Sequence, residues 1–283
     1  MQKLIRIVFL LALCTGIGKL WHAAKDGFQI SRVRSWNVPE KYPISEEAKK
    51  ALCQSYRYIG RGHQCYAFAS EDGQYVLKLP RTDRYQTPFW MQFFPEKRKE
   101  KEEDVQHREK ALLESFRISY EELSDQTALL AFRMGSGSEN LGNLQIQDRL
   151  GRSYVLPVHQ TPFLLQRKFP ILMRCFESAL DKGKREEAAQ ILDRFLEAIY
   201  DRAMRGVLNK DPSFMRNFGY DGTKAYQIDV GSFYRKEGIA GFVAFHRSIK
   251  DTIGPVRQWL KMKDPDLEAH LDEKLHELLR GEE

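Results

Sequence analysis

The spacing of hydrophobic positions changes several times along the chain, and each change marks an element. Ile7 to Leu13 is continuously apolar and trails through Cys14-Thr15-Gly16-Ile17-Gly18 to Leu20 behind a short basic start, Met1 to Arg6. That pattern predicts a helix of signal or anchor character. Trp21 to Pro43 reads as a polar linker closed by Pro39 and Pro43. Ser45-Glu46-Glu47-Ala48 has a capping serine and first-turn acids, which start a short helix. Period-two alternation then predicts strands at Tyr56 to Ile59, Tyr66 to Ala69 and Tyr75 to Leu79, the last two joined at Asp72-Gly73. From Glu96 to Leu123, Ala111, Leu112, Phe116, Tyr120 and Leu123 recur at the helical period. Ala128 to Met134 is a strand, Gly135 to Gly142 a loop, Leu144 to Leu156 a hairpin, and Pro162 to Arg167 an apolar strand turning polar. Helices follow at Pro170 to Asp181 and Lys184 to Arg205. The second shows Ala188, Ile191, Leu192, Phe195, Leu196, Ile199 and Met204 on one broad face. A short strand, Ala225 to Ile228, precedes a helical tail from Ile239 to Leu279, interrupted at Gly254-Pro255 and Asp264-Pro265.

The order is β-rich with one helix, then helix-rich with one short strand, an α+β chain in two lobes. The boundaries expected from pattern are a hydrophobic segment 1–22, a linker 23–44, a first lobe 45–168 and a reduced helical lobe 169–283. With 283 residues the chain can build both.

Charge adds a location for the basic excess. The net charge is +6, and residues 1–37 carry Lys3, Arg6, Lys19, Lys25, Arg32 and Arg34 against Asp26 alone. The remainder is close to neutral, which argues against a nucleic-acid partner. A basic segment beside an apolar run fits membrane association through residues 4–20, as a single N-terminal anchor or an export signal. Positive charges flank the run on both sides, so orientation does not follow from it. Cys14, Cys53, Cys65 and Cys175 show no disulfide framework and no zinc-ligand spacing. There is no G-x-S-x-G, and Gly135-Ser136-Gly137-Ser138 reads as a flexible turn.

Four short stretches carry chemistry. Gly60-Arg61-Gly62-His63-Gln64-Cys65 lies between two strands, where glycines let backbone amides approach phosphate. Eighteen residues after Gly60, Lys78 sits in an alternating strand, on a face where an amine needs an anionic partner. A glutamate on the following helix can supply one, Glu114 first and Glu109 second. The alternative for both is a solvated helix surface. Asn209-Lys210-Asp211 with Asn217 follows a long helix, and Ile228-Asp229-Val230-Gly231 ends an apolar strand in Asp then Gly. Read singly, Asp211-Pro212 and Asn217-Phe218-Gly219 are turns.

Together, in this order, the stretches resemble the protein kinase-like superfamily from about Tyr56 to Phe233. The resemblance looks closest to divergent bacterial members. It implies a two-lobe fold, ATP and Mg²⁺ bound between the lobes, and transfer of the γ-phosphoryl group. It casts Gly60, Gly62 and Lys78 as phosphate-binding, Glu114 as the lysine's partner and Gln166 as part of the strand entering the adenine hinge. It casts Asp211 as the base, Lys210 as a phosphate neutraliser, and Asn217 and Asp229 as metal ligands. Cys65 stands where kinases carry a third glycine, and the interval from Asp211 to Asn217 is one residue longer than theirs. After Gly231 about fifty residues remain, with no Ala-Pro-Glu, so the expected phosphoryl acceptor is not a conventional peptide. The alternatives are a pseudokinase or nucleotide-binding scaffold at a membrane, and a membrane-anchored interaction protein without nucleotide.

Overall fold

A computed structural model describes residues 2–39, 42–137 and 141–280. In chain order the elements are α1 (Gln2–Ala24), α2 (Glu46–Leu52), β1 (Ser55–Arg61), β2 (Cys65–Ser70), β3 (Tyr75–Pro80), α3 (Pro95–Glu121), α4 (Ser124–Thr127), β4 (Leu129–Arg133), β5 (Asn143–Gln147) and β6 (Ser153–Pro157). They continue with β7 (Phe163–Arg167), α5 (Leu172–Asp181), α6 (Arg185–Met204), β8 (Leu208–Asn209), β9 (Phe218–Tyr220), β10 (Ala225–Gln227), β11 (Phe233–Tyr234), α7 (Gly241–Ser248), α8 (Gly254–Lys263) and α9 (Pro265–Arg280). The chain divides into two compact units, Met1–Glu102 with Ala131–Leu165, and Glu103–Leu130 with Gln166–Glu283. The architecture is mixed α+β.

The first unit is built on a seven-stranded sheet of order β4-β7-β3-β2-β1-β5-β6. Its alternation works as the sequence pattern predicts. Phe68 faces Leu77 across antiparallel β2 and β3, both fully buried, while Val76 and Lys78 on the other face of β3 are half-buried. β5 joins β1 in parallel, with Tyr56 opposite Ile146. Ser45 caps α2 by accepting from the Ala48 amide, and the buried Tyr56 hydroxyl donates to Ala51 O at 2.8 Å, fastening α2 to β1.

Segment 23–44, read from the sequence as a linker, packs into this unit. Phe28 is fully buried among Tyr58, Tyr66, Phe68 and Tyr154, with ring centroids 5.0 to 6.0 Å away. Asp26 accepts from the Tyr58 hydroxyl at 2.8 Å and pairs with Arg61 at 3.1 Å. The Trp36 amide donates to Met134 O, and Thr82 Oγ1 donates to Arg32 O while accepting from the Arg34 amide. The polar composition hid this because a few aromatic and aliphatic anchors, Phe28, Trp36 and Ile44, do the burying. The predicted N-terminal hydrophobic segment is helical as α1. Among the described residues no helix is long and apolar enough to cross a membrane.

The second unit packs α5 to α9 around a core that includes Phe176, Leu192, Phe195, Ile199, Phe218, Phe245 and Leu260. Met204, assigned by spacing to the apolar face of α6, is instead exposed. The helical tail passes Gly254-Pro255 without a break. A single π turn, Ile249–Ile253, joins α7 to α8. Pro255 has no amide hydrogen, so the ladder shifts by one residue and the helix continues.

Phe28→Ala should lower unfolding free energy by about 3–5 kcal/mol, the usual cost of emptying a buried phenyl site. Denaturant unfolding of the full chain measures it. A loss below about 1 kcal/mol would mean that segment 23–44 does not pack against the sheet.

Candidate functional site

Gly60, Gly62 and Lys78 belong to the first unit; Glu114, Gln166, Lys210, Asp211, Asn217 and Asp229 belong to the second. In the first, β1 and β2 form a hairpin closed by the Gly62 amide donating to Cys65 O at 2.8 Å. A register shift between Tyr58 and Gly60 bends the strand just before the turn. A Cβ on Gly60 would meet nothing within 4 Å, and one on Gly62 only Cys65 O at 3.8 Å. Packing therefore does not demand glycine at either position. Lys78 sits opposite Ala67 of β2.

In the second unit, Gly206, two residues past the end of α6, has a φ of 73°, the left-handed cap that glycine adopts freely. The chain then enters β8, which pairs with β11. Asn209 Oδ1 accepts from the Asp211 amide at 2.9 Å, an Asx turn that sets the loop. Asn217, nearly buried, donates from Nδ2 to Asp211 O at 2.6 Å. The Ile228 amide donates to Asn217 O, extending the β9–β10 ladder by one step. Asp229 therefore follows directly on the residue that faces Asn217. Asp211, Asn217 and Asp229 are thus gathered at the open end of one hairpin. Gly231 donates its amide to Asp229 Oδ1 at 3.3 Å.

The oxygens at this end are under-used. Among the described residues the Asp211 carboxylate, Asn217 Oδ1 and Asp229 Oδ2 take part in no hydrogen bond. Hard oxygens of this kind suit Mg²⁺, which keeps several waters or phosphate oxygens and needs only one or two protein ligands. Consistent with so sparse a set, no group of three or more His, Cys, Asp or Glu side chains among the described residues could hold a metal ion. Lys210 is exposed and lies 5.2 Å from the Tyr234 ring centroid.

Glu114 is held by its neighbour. Arg117 donates to both carboxylate oxygens, at 2.9 and 2.6 Å, and this hydrogen bonding keeps the Glu114 carboxyl below its ordinary range. The buried Gln166 amide donates to Thr127 O at 2.9 Å, tying β7 to α4, while its Oε1 is buried without a partner.

Two supports lie beyond the sequence motifs. Arg202, 1% exposed, donates to Val207 O, to Gln227 Oε1 at 2.5 Å and to Ser248 Oγ at 3.3 Å. It joins the loop that leads to Asp211, the strand that leads to Asp229, and α7. Burial lowers its guanidinium to about 10. Ser115 Oγ donates to Val230 O at 2.6 Å and accepts from the Phe233 amide at 2.7 Å, and Ser119 Oγ also reaches Val230 O. α3 thereby grips the Asp229 loop from behind. The signal for Arg202 was present in the sequence: it falls on the α6 face that carries Phe195, Ala198 and Ile199, where a charge needs a reason.

A cavity of about 270 Å³ opens beside Asp211. Its walls are largely apolar, with Phe214, Met215, Pro255, Val256 and Trp259, and Asp251 from the π turn supplies a second carboxylate. Arg247 lies 3.7 Å from Asp251.

No protein-family model matches the chain, and no curated protein matches it. Among solved structures it is similar to the bifunctional kinase-methyltransferase WbdD, with TM-score 0.36 and 17% identity over 75% of this chain and 43% of that one. A second WbdD structure gives TM-score 0.36 and 17% identity over 86% and 47%. WaaP in complex with acyl carrier protein gives TM-score 0.35 and 12% identity over 82% and 91%. The chain spans less than half the length of the WbdD chains it matches. At these levels of likeness, the reading of the site rests on this chain's own residues.

Arg202→Met should cost about 3 kcal/mol in denaturant unfolding, because Val207 O and Gln227 Oε1 lose a charged donor inside the core. A change within about 0.5 kcal/mol would show that the guanidinium is not needed to hold the loop.

Proposed function

We propose that the chain is a kinase-like phosphotransferase that uses ATP with Mg²⁺ and acts on a compact hydroxyl-bearing acceptor rather than a peptide. The observation that carries this reading is the gathering of Asp211, Asn217 and Asp229 at one hairpin end, with the Asp211 carboxylate, Asn217 Oδ1 and Asp229 Oδ2 in no hydrogen bond among the described residues. ATP would supply the phosphoryl group and Mg²⁺ would neutralise charge on its oxygens. Asn217 Oδ1 and Asp229 are the metal ligands in this reading. Gly60, Gly62 and Lys78 contribute phosphate contacts, and Lys210 adds positive charge near the transferred group. Asp211 accepts the proton of the acceptor hydroxyl as its oxygen bonds to phosphorus and ADP departs.

The cavity beside Asp211 supports the acceptor class. At about 270 Å³ it suits a small molecule better than a peptide strand. An aromatic wall with two carboxylates fits a molecule that shows both hydroxyl groups and an apolar face. A second reading, nucleotide binding without transfer, is favoured by the engagement of both Glu114 oxygens with Arg117, which leaves that carboxylate committed elsewhere.

Thermal unfolding of the full chain with and without Mg·ATP tests the reading. A stabilising shift should appear, should be lost in Asp229→Asn and in Lys78→Ala, and should survive in Asp211→Asn. ADP release should fall by about 10²–10⁴-fold in Asp211→Asn if that carboxylate is the base. Absence of any shift at saturating Mg·ATP removes the nucleotide reading altogether. A shift without ADP release that depends on Asp211 leaves only the second reading. Trp259→Ala should weaken use of an acceptor while leaving the Mg·ATP shift unchanged.

A further inference from the structure

Four aromatic side chains stand in solvent on one short stretch of the first unit. Phe89, Trp90, Phe93 and Phe94 are 80, 58, 71 and 51% exposed, on a single 3-10 turn and the residue after it. Exposed apolar side chains scattered singly are ordinary, but a contiguous aromatic cluster marks a surface that meets something. From Gln92 to Glu100 every residue is exposed, so the aromatic turn and the start of α3 stand clear of the packed sheet. That start carries Lys97, Arg98, Lys99 and Lys101 against Glu96, Glu100 and Glu102 and is followed by Glu103 and Asp104; Arg98 pairs with Glu102 at 2.7 Å, which leaves the exposed Lys97 and Lys99, nearest the aromatic turn, as the cations that matter here.

The same unit has a second element of this composition. α1 holds Lys3, Arg6 and Lys19 and no acidic residue. Leu13, Ile17, Leu20 and Trp21 recur on it at helical spacing, and all are exposed. Lys25 and Arg152 both lie over the Trp21 ring, at 5.1 and 4.5 Å.

We propose that Phe89–Phe94 and the basic start of α3 form a docking surface for an anionic lipid bilayer. Aromatic rings, tryptophan above all, favour the headgroup level, where one part of the ring is apolar and another polar. Lysines in the next turn then meet anionic headgroups, which adds attraction that a neutral surface lacks. Apolar and cationic side chains in adjacent turns are the combination that interfacial binding uses. The proposal rests on positions 89–101 and is independent of the phosphotransferase reading.

Sedimentation of the full chain with phosphatidylcholine vesicles, with and without phosphatidylglycerol, is the test. The wild type should bind the anionic vesicles, and binding should weaken with salt. Phe89→Ser with Phe93→Ser should weaken it by about tenfold or more, as should Lys97→Glu with Lys99→Glu. Lipids brominated on the acyl chain should quench a component of the fluorescence that is missing in Trp90→Phe, a readout that needs no change of binding. Unaltered binding in the Phe89/Phe93 variant overturns the proposal, because α1 would then carry the contact alone. Failure of the wild type to bind anionic vesicles also overturns it. So does a change of oligomeric state in the Phe89/Phe93 variant with vesicle binding intact, since the occupant would then be a second copy of this chain.

Discussion

The second unit is organised around a buried guanidinium. Arg202 lies in the core without a carboxylate among its hydrogen-bond partners. Bringing a charge out of water costs several kcal/mol. The cost falls on arginine more lightly than on lysine, because guanidinium is weakly hydrated and its donors are fixed in a planar fork. Three neutral acceptors, each bonded to a charged donor, return about 1.5–3 kcal/mol apiece. The balance leaves the group charged at neutral pH even though burial lowers it to about 10. What the cost secures is position. Val207 precedes the Asp211 loop and Gln227 precedes Asp229, so one side chain fixes the spacing of both segments.

A second constraint acts from the other side. Ser115 and Ser119 lie one turn apart on α3 and both reach Val230 O. Hydroxyls on a buried helix face are usually a liability, and here they satisfy backbone groups of a loop that has left regular pairing. An ionic layer at the surface extends the same arrangement. Arg205 grips both oxygens of Asp125 at 2.7 Å, holding its carboxyl below the usual range, and Arg235 reaches Glu122 and Arg205 O. These pairs are half-exposed, so salt screens them, and each contributes little beside the buried bonds.

Much of this fold was legible in the sequence where a single period governs a stretch. The alternation of β2 and β3 records one buried and one half-buried face, and α6 shows its core side over five turns. The period fails where burial is done by few residues or by polar ones. Segment 23–44 is anchored by Phe28, Trp36 and Ile44, eight residues apart and too sparse to declare a period. Gly254-Pro255 looks like a break, yet a π turn absorbs the missing donor. Within the candidate site, residue types and order could be read, and so could the turn at Asp211. The bond from Asn217 to the Asp211 carbonyl could not, because it depends on how the five intervening residues fold back. Nor could spacing reveal that Glu114 has Arg117 one turn away as a bidentate partner.

The interval between Asp211 and Asn217 has a structural use. Ser213 O accepts from both the Arg216 and Asn217 amides, so the interval closes as a helical turn rather than an extended strand. Phe214, inside that turn, is buried against Phe176 and Phe195. The same turn directs Met215 and Ser213 toward the cavity beside Asp211. The loop thus does two things at once. It seats an aromatic anchor in the helical core, and it forms one wall of the cavity that Asp211 and Asp251 also line. A shorter interval would have to give up either the Phe214 anchor or the bond that brings Asn217 back to the Asp211 carbonyl.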